Sequence, residues 1–558
     1  MRNRQWYWLL GLILVWGIGW GCMPLHAADG GERTLTIEKR YLHLPVKNGA
    51  PMQRMVYQID GQTIREFDIE LADANPDFWV FSELTAFANQ DITIRVNQNA
   101  KGLALITASD QVPAAENLYQ EATRPQFHFS SRRGWNNDPN GLVYYKGEYH
   151  LYYQHNPYGW NWGNMHWGHA VSPDLVHWTE LPIALYPQMH GDWCFSGSAV
   201  IDTANTSGFK TGDEEVLVVA YTSTDRGECI AYSNNRGRTF TEYEGNPVVT
   251  HQGRDPKLIW YAPDKIWVMA VYDEIEKSQG IAFYTSPDLK QWTRQSRVDG
   301  YYECPEIFEL PVDGDPSNTK WVLYAADGAY ALGSFNGKTF TAESGKHPFA
   351  LGPCFYASQT FSDIPPADGR RIQIAWGRTG DRSMPFNQMM NFPVELTLRT
   401  TPAGVRLFAW PVEEIESLYQ QTITSSDPLF LTPERPFIPE TQGDLLDLQL
   451  RILTPSHGSF GLSLFGHTLV YDAAKQTLAC PHEVKIPPLD GVIDLRLLVD
   501  RQSIEIFANQ GQVYIPLSVV FTPEKRAADK PVILFSHGPA VTLQKFTLHT
   551  LRSSWQPQ

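Results

Sequence analysis

Alternation of polar and apolar residues is the dominant pattern near the N-terminus of the chain. Residues 33–37 (Arg-Thr-Leu-Thr-Ile) and 91–96 (Asp-Ile-Thr-Ile-Arg-Val) alternate with a period of two. This period is typical of half-buried β-strands. The pattern predicts an N-terminal β domain over residues 29–120.

Strand-like alternation returns near the C-terminus. Residues 445–450 and 495–500 show it, and two further strand-like runs flank the turn sequence Asn-Gln-Gly-Gln at 509–512. Two strands around such a turn predict a hairpin, so we expect an antiparallel β-sandwich over residues 416–558. Residues 411–418 lie just before it and have the proline start, early acidic residues and apolar spacing of a helix.

A repeated segment occupies the middle of the chain. Four segments each combine a short strand, a turn that contains Ser with Asp or Asn, and an aromatic residue, and they end at Trp178, Phe240, Trp292 and Phe340. The aromatic residues lie roughly 50 to 60 residues apart, which suits a propeller blade of four short strands. Near-even spacing favours this interpretation over a chance recurrence of β-turns. The sequence therefore predicts an all-β chain in which a five-bladed β-propeller at 121–415 lies between the two other β domains.

Charge and composition exclude some classes of partner. The 558 residues carry a formal net charge of −16, which argues against nucleic acid or an anionic membrane surface as partner. A neutral substrate such as a sugar is compatible with this charge. Aromatic residues make up 13% of the chain, which suits stacking on sugar rings but is also common in all-β proteins.

The first residues have the organisation of an export signal. Arg2 and Arg4 form a positive region, residues 6–23 are apolar, and Leu-His-Ala at 25–27 is a plausible cleavage site. We expect residues 1–28 to be removed and the protein to be secreted, periplasmic or held at the cell surface. The alternatives are an uncleaved N-terminal anchor and a lipoprotein attached through Cys22.

The six cysteines are widely spaced, and none of them forms a CxxC pair. This spacing supports neither a zinc site nor a disulfide framework. We expect buried free thiols with at most one or two bridges.

Three short acidic motifs next to proline carry the candidate chemistry. The first contains Asp138, the second contains Asp255, and the third contains Glu303 and Glu306. Taken singly, each is better explained as an ordinary turn or a surface ion pair. Together on one propeller, whose loops converge on a central funnel, they predict a glycosidase site, because such a site needs one carboxylate as nucleophile and another as proton donor.

The neighbours of each acid indicate how it is tuned. Adjacent amides in the Asn-Asn-Asp-Pro turn can hold Asp138 ionised, and the adjacent Arg254 favours the charged form of Asp255. A glutamate among aromatic residues tends towards a raised pKa and can supply a proton near neutral pH. Spacing alone does not decide whether Glu303 or Glu306 does so.

The sequences Trp-Asn-Asn-Asp-Pro-Asn-Gly, Arg-Asp-Pro and Glu-Cys-Pro, in this order, resemble glycoside hydrolase family 32, the invertase, inulinase and levanase group. Supporting matches are Gln154 and the segments 161–163, 166–169, 195–198, 355–357 and 499–511. The resemblance covers about residues 127–552. It implies a five-bladed propeller followed by a β-sandwich.

The resemblance also implies a retaining mechanism on β-fructofuranosyl units. Asp138 would attack the anomeric carbon, Glu303 would protonate the leaving oxygen and then activate water, and Asp255 would bind ring hydroxyls. Their geometry would place the carboxyls of Asp138 and Glu303 ~5–5.5 Å apart. No metal or organic cofactor is implied. The residues implied to line the fructose pocket are Asn137, Gln154, Trp162, Ser196, Arg254 and Trp376.

Parts of the chain depart from the family pattern. Cys354 stands where an acidic residue often precedes Phe-Tyr-Ala, and Val394 stands in place of Arg in the common Pro-Arg-Glu-Leu motif. Loss of this Arg would weaken the support around the acid/base. The added N-terminal β domain resembles a module found ahead of secreted bacterial fructan hydrolases. It is either a packing spacer or a sugar-binding surface, and we favour the spacer.

These observations predict an exported β-fructosidase that releases terminal fructose from fructans (levan or inulin) and from sucrose. One alternative is an endo-acting levanase or inulinase. Another is a non-catalytic surface propeller that binds glycans, although the presence of all three carboxylates counts against it. The sequence does not distinguish a preference for levan from a preference for inulin, and it does not give the oligomeric state.

Overall fold

The computed structural model describes residues 30–98, 100–380, 384–527 and 530–555. The predicted export signal lies outside this part of the chain. Within it, no helix is both long and apolar enough to cross a membrane. Helical structure there is limited to an α-helix at Pro523–Arg526 and to 3-10 helices at Thr85–Phe87, Ala100–Leu105, Ala115–Asn117, Glu413–Leu418 and Asn509–Gly511. The prediction of an all-β chain is confirmed.

Seven strands near the N-terminus form two antiparallel sheets. Their orders are β1-β6-β3-β4 and β5-β2-β7. Alternate side chains of both sheets meet in one apolar cluster that includes Leu44, Met55 and Ile94. The strands are β1 Gly31–Thr36, β2 Tyr41–Val46, β3 Gln53–Ile59, β4 Gln62–Ile69, β5 Phe78–Glu83, β6 Asp91–Val96 and β7 Thr107–Ser109. We call β1–β7 the N-terminal module.

The next twelve strands form three sheets of consecutive antiparallel strands. These are β8 Gly134–Tyr145, β9 Glu148–Asn156, β10 His166–Ser172, β11 Thr179–Leu185, β12 Cys194–Asp202, β13 Val216–Ser223, β14 Gly227–Ser233, β15 Thr241–Glu242, β16 Gly253–Tyr261, β17 Ile266–Ile275, β18 Ser278–Ser286 and β19 Thr293–Asp299. Each group of four is ordered first to fourth across its sheet. This succession agrees with the period seen in the sequence.

A fourth, larger sheet contains nine strands. It runs β23-β22-β21-β20-β28-β25-β24, with β27 and β29 attached, while β26 joins the edge of the sheet formed by β8–β11. The strands are β20 Glu306–Val312, β21 Asp315–Tyr324, β22 Tyr330–Phe335, β23 Phe340–Ala342, β24 Tyr356–Thr360, β25 Arg371–Gly377, β26 Phe386–Asn387, β27 Met389–Met390, β28 Val394–Thr401 and β29 Gly404–Pro411.

The repeated turns have a common structure. Asp174 and Asp288 each accept hydrogen bonds at Oδ1 from backbone amides two and three residues further on. In both turns the following tryptophan donates its indole N–H back to the turn, as Trp178 does to the Leu175 carbonyl at 3.0 Å. Asn336 accepts in the same way. The sequence repeat therefore marks the turn between the third and fourth strand of successive sheets.

The C-terminal strands form two antiparallel sheets that pack face to face. One contains β30-β41-β32-β37-β38-β39 with β31 attached, and the other contains β36-β35-β34-β33-β40. A single apolar cluster includes Leu448 from the first sheet and Leu462 from the second. The strands are β30 Tyr419–Thr424, β31 Leu429–Leu431, β32 Leu446–Leu453, β33 Ser459–Leu464, β34 His467–Asp472, β35 Thr477–Cys480, β36 His482–Lys485, β37 Val492–Asp500, β38 Ser503–Ala508, β39 Val513–Ser518, β40 Val532–His537 and β41 Val541–Leu551.

Two local predictions can be compared with this fold. The predicted hairpin is present as β38 and β39, joined through Asn509–Gly511. The predicted helix at 411–418 is shorter than expected, because Pro411 still belongs to β29 and only Glu413–Leu418 winds, as a 3-10 helix. Its buried face is just Ile415 and Leu418, too small an apolar stripe to select a full α-helix.

The five described cysteines are all free and buried. This agrees with the expectation of free thiols.

A buried histidine joins the segment before β8 to the C-terminal sheets. His128 is fully buried, with Nδ1 2.9 Å from Asp500 Oδ2 and Nε2 2.9 Å from Glu505 Oε1. Burial alone would lower the pKa of the imidazole, but hydrogen bonds and charge interactions with the two carboxylates raise it to about 9. The histidine is therefore a doubly paired cation below that pH.

We expect this cation to make stability pH-dependent. The folded-state pKa of His128 is higher than its ordinary value of 6.5. The stabilisation is therefore complete below pH 6.5 and is lost as the pH rises through about 9. The difference corresponds to about 3 kcal/mol. Urea unfolding of the wild type and of His128→Gln at pH 6 and pH 9 measures it. An equal loss of unfolding free energy in both proteins would contradict the assignment to His128.

Candidate active site

The candidate site lies where β8, β12, β16, β20 and β24 begin. β8 packs beside β12 and β24, and β16 lies between β12 and β20. Four of these strands carry a break in register close to the start, which is at Asn136/Pro139, Cys194/Gly197, Arg254/Lys257 and Tyr356/Gln359. A bulge turns a side chain out of the regular alternation. The bulges thus present Asp138, Ser196 and Asp255 at one end of the sheets.

Asp138 is held by two hydrogen-bond donors. Ser196 Oγ donates to its Oδ2 at 2.7 Å, and Asn137 Nδ2 donates to its Oδ1 at 3.0 Å. Asn137 is itself fixed by the indole N–H of Trp135 at 2.7 Å. Enclosure by protein raises the pKa of the Asp138 carboxyl, and these donors oppose the rise. The carboxylate is therefore oriented and weakly solvated.

Asp255 and Asp138 both lie close to one thiol. Cys304 Sγ is 3.6 Å from Asp255 Oδ2 and 3.7 Å from Asp138 Oδ2, and the Cys304 amide donates to Asp255 Oδ2 at 3.0 Å. Burial raises the pKa of Asp255 to about 7, although Arg254 acts to lower it. Two acids that share so small a space resist simultaneous ionisation.

Glu303 completes the cluster of three carboxyl groups. Arg254 Nη2 lies 2.5 Å from Glu303 Oε1, and the Tyr356 hydroxyl donates to Oε2 at 2.8 Å. The Glu303 side chain keeps 21% of its surface exposed. It is therefore reachable by a ligand and held by two partners.

Glu306 occupies a different environment. Its side chain is fully buried, with Oε1 2.8 Å from Lys257 Nζ, and Thr360 Oγ1 donates to Oε2 at 2.7 Å. Lys257 is also almost completely buried. This carboxylate is part of an interior ion pair beneath the cluster.

The backbone around the acids is strained. Asp255, Glu303 and Cys304 have φ angles of 67°, 57° and 41°, in the left-handed region that non-glycine residues rarely adopt. Such conformations cost about 1–3 kcal/mol each and occur often at functional sites. These backbone conformations orient the Asp255 and Glu303 side chains and the Cys304 amide towards the cluster of carboxyl groups.

The effect of Arg254 on Asp255 has the direction expected from the sequence, because Arg254 acts to lower the pKa of Asp255. Burial outweighs this effect, so the pKa of Asp255 is still raised. The guanidinium also hydrogen bonds to Glu303, a contact that the sequence did not predict, while its Nε lies 3.9 Å from Asp255 Oδ2. Arg254 also packs on the ring of Tyr272 at 4.8 Å.

The other predicted pocket residues surround the cluster at different depths. Gln154 is buried and donates to the Cys194 carbonyl at 2.9 Å. Trp376 is fixed by a hydrogen bond from Nε1 to Gln388 Oε1 at 3.0 Å, and its ring lies 6.2 Å from that of Tyr356. Trp162 is 50% exposed and lies outside the acid cluster, with its ring 6.1 Å from that of Phe195.

Several contacts were not foreseen as parts of the site. Tyr356, Trp135 and the Cys304 amide touch the acids or their partners directly. Each lies beside a residue that the sequence had singled out, and only the folded backbone shows which neighbour turns inward. Among the described residues, no group of three or more His, Cys, Asp or Glu side chains is arranged to hold a metal ion.

Comparison with known proteins places this site in a family. The models for "Glycosyl hydrolases family 32 N-terminal domain" and "Glycosyl hydrolases family 32 C terminal" match residues 128–411 and 414–550. A levanase of Bacillus subtilis is 36% identical over 509 residues, covering 81% of this chain and 74% of its own. An extracellular exo-inulinase of Aspergillus ficuum is 31% identical over 529 residues, covering 78% and 96%.

Solved structures agree with the sequence comparison. The crystal structure of exo-inulinase from Aspergillus awamori superposes with a TM-score of 0.69 at 28% identity, covering 78% of this chain and all of the other. The matches therefore extend over both the sheets that carry the acid cluster and the C-terminal sheets. This chain belongs to glycosyl hydrolase family 32.

Proposed function

We propose that the protein is an exported retaining β-fructosidase that removes terminal fructose from levan or inulin, and from sucrose. It is a family 32 glycosidase, and its relatives bear the names levanase and exo-inulinase. The observation that carries the proposal is the convergence of Asp138, Asp255 and Glu303 around Cys304 and Arg254.

Asp138 is the proposed nucleophile. Its two carboxylate oxygens are oriented by Ser196 and Asn137, and the residue remains partly exposed. A carboxylate that is weakly solvated before substrate binds gains most when positive charge develops at the anomeric carbon. The raised pKa of Asp138 in the empty site reflects this poor solvation.

Glu303 is the proposed acid/base. Of the two glutamates in the Glu-Cys-Pro-Glu motif, it is the exposed one, while Glu306 is buried against Lys257. In a retaining enzyme this group gives a proton to the leaving oxygen and later takes one from water. We expect its carboxyl to lie ~5–5.5 Å from that of Asp138 when the site is occupied.

Asp255 is proposed to bind two ring hydroxyls of the fructosyl unit. Its pKa of about 7 means that a substantial fraction carries a proton near neutral pH in the empty site. Hydroxyl donors from a bound sugar would favour its charged form, as hydrogen bonds to a carboxylate do. The ionised group then stabilises an oxocarbenium-like transition state.

The remaining pocket residues are proposed to fix the sugar. Asn137, Ser196 and Arg254 supply polar groups next to the acids, and Trp376 supplies an aromatic wall. Gln154 supports this layer from below. In the amide orientation that satisfies its neighbours, Asn140 accepts from Gln154 Nε2 at 2.9 Å and donates to Ser196 Oγ at 3.3 Å. Trp162 lies further out and is proposed to contact the leaving group.

The proposed architecture follows the expected divisions at 29–120, 121–415 and 416–558. Four blades correspond to β8–β11, β12–β15, β16–β19 and β20–β23, each an antiparallel group of four. We assign the fifth blade to β24, β25, β28 and β29, which are hydrogen bonded to one another in this order. The long sheet in which they continue from β20 joins blades four and five.

Export is proposed from the apolar leader at residues 6–23 and from the extracellular relative in Aspergillus ficuum. A polymer outside the cell is then a more accessible substrate than an intracellular sugar.

Chromatography of the products from levan, inulin and sucrose tests the function. We expect free fructose from sucrose and at least one polymer, without intermediate oligomers in the early phase of the reaction. A ladder of oligomers would show endo-action in place of exo-action. Absence of fructose from all three substrates would refute the hydrolase assignment.

A further inference from the structure

A groove separates the N-terminal module from the loop that follows β9. It encloses about 180 Å³, several times the ~30 Å³ that one water occupies. One wall is formed by Met52, Asp68 and Glu70 of the N-terminal module, and the other by Asn161, Trp162 and Trp193. The two family matches begin at residue 128 and leave the first wall uncovered.

The N-terminal module holds the facing loop rigidly. Asn164 accepts from the Asp68 amide at 2.9 Å and donates to the Asp68 carbonyl at 2.7 Å, so its side chain extends the edge of β4. Phe67 stacks on Tyr158 with ring centroids 3.6 Å apart. Trp160 is buried in the apolar cluster of the N-terminal module. The position of Trp162 is therefore set by contacts that this module makes on both sides of it.

The surface of the groove is chemically suited to a sugar. Met52 and Trp162 are 55% and 50% exposed, although both are large apolar side chains. Exposed aromatic and thioether groups provide flat apolar area for the C–H face of a ring. Asp68, Glu70 and Asn161 place hydrogen-bonding groups around it. The carboxylates disfavour an anionic ligand and suit neutral hydroxyl groups.

Aromatic contacts connect the groove with the strand that carries Ser196. The ring of Trp162 lies 5.1 Å from that of Trp193 and 6.1 Å from that of Phe195. Phe195 directly precedes Ser196, whose hydroxyl binds Asp138. A line of aromatic side chains thus leads from the proposed nucleophile to the N-terminal module.

We propose that the N-terminal module forms one wall of a second carbohydrate subsite, which holds a fructosyl unit on the leaving-group side of the substrate. This unit follows the first sugar on the leaving-group side, which is the sugar joined to the released fructose by the scissile bond. The proposal rests on the proposed function for its substrate class. It gives the module a part in substrate binding, in place of the spacer role that the sequence favoured.

The test compares a polymer with sucrose, because sucrose has no unit that reaches the groove. For Met52→Ala and for Glu70→Gln, we expect the ratio of kcat/KM on the fructan to kcat/KM on sucrose to fall roughly three- to ten-fold. The loss should come from KM on the fructan, since neither residue touches the acid cluster. Leu489→Ala, an equally simple truncation of a side chain that is 46% exposed in the connection between β36 and β37, should leave the ratio unchanged.

A binding measurement separates this proposal from the chemistry. In the Asp138→Asn background, calorimetry with a fructan oligosaccharide should show a similar three- to ten-fold weaker affinity when Met52→Ala is added. An unchanged ratio in both groove variants and an unchanged affinity on addition of Met52→Ala, with normal fructose release by the wild type, would overturn the subsite alone. Failure of the wild type to release fructose from any substrate would instead overturn the proposed function, and the subsite with it.

Discussion

Asp138→Asn is expected to abolish fructose release while leaving the fold intact. The amide has almost the same shape as the carboxylate and can still accept from Ser196, but it cannot form a covalent bond to the anomeric carbon. We expect kcat to fall by about 10⁴-fold or more. Initial rates of fructose formation from sucrose and from a fructan measure the effect.

The stability of the same variant provides an independent readout. Burial raises the pKa of Asp138, so the ionised carboxylate is less favourable in the folded protein than in the unfolded chain. Replacing it with a neutral amide should leave the midpoint of thermal unfolding unchanged or raise it slightly. A variant that is inactive because it is unfolded would show the opposite.

Asp363→Asn is a matched control for this substitution. The pKa of the Asp363 carboxyl is likewise raised, to about 6, by desolvation in a different cavity near Arg371, although the residue as a whole is exposed. We expect its variant to keep turnover within a few-fold of the wild type. Substantial turnover by Asp138→Asn, beside an active control, would remove Asp138 from the nucleophile role.

The parts of the fold that the sequence predicts are those with a local cause. Period-two alternation identified β1 and β6, and the turns with Asp174, Asp288 and Asn336 revealed successive sheets, because side-chain caps on a turn depend on neighbouring residues. The long sheet built from β20–β25 and β27–β29 was not predicted, because pairing between distant strands leaves no local pattern.

The site shows the same division between local and distant causes. The acidic motifs are short and contiguous, so Asp138, Asp255 and Glu303 could be selected as candidates from the sequence. The hydrogen bond of Arg254 to Glu303 could not be predicted, because it depends on a bulge and a left-handed backbone at Asp255. The pKa of Asp255 also depends on burial among side chains far apart in sequence.

The choice between the two glutamates gives the second large expected effect. Glu303→Gln removes a proton donor from the open site, and we expect kcat on sucrose or a fructan to fall by about 10²- to 10⁴-fold. A substrate with a nitrophenol leaving group should be affected much less, because that oxygen departs without protonation. The free energy of unfolding should change little, since Glu303 and Arg254 both keep contact with solvent.

Glu306→Gln should give the opposite pattern. It leaves the buried ammonium of Lys257 without its carboxylate, which costs about 3–5 kcal/mol when a buried pair is broken. Urea unfolding should show this loss, and Lys257→Met added to Glu306→Gln should recover much of it, because the buried ammonium is then removed together with its carboxylate. The nitrophenol substrate should give no selective rescue of Glu306→Gln. If Glu306→Gln instead kept full stability and showed the larger, leaving-group-dependent loss of kcat, the proton donor would be Glu306 and the assignment of Glu303 would be wrong.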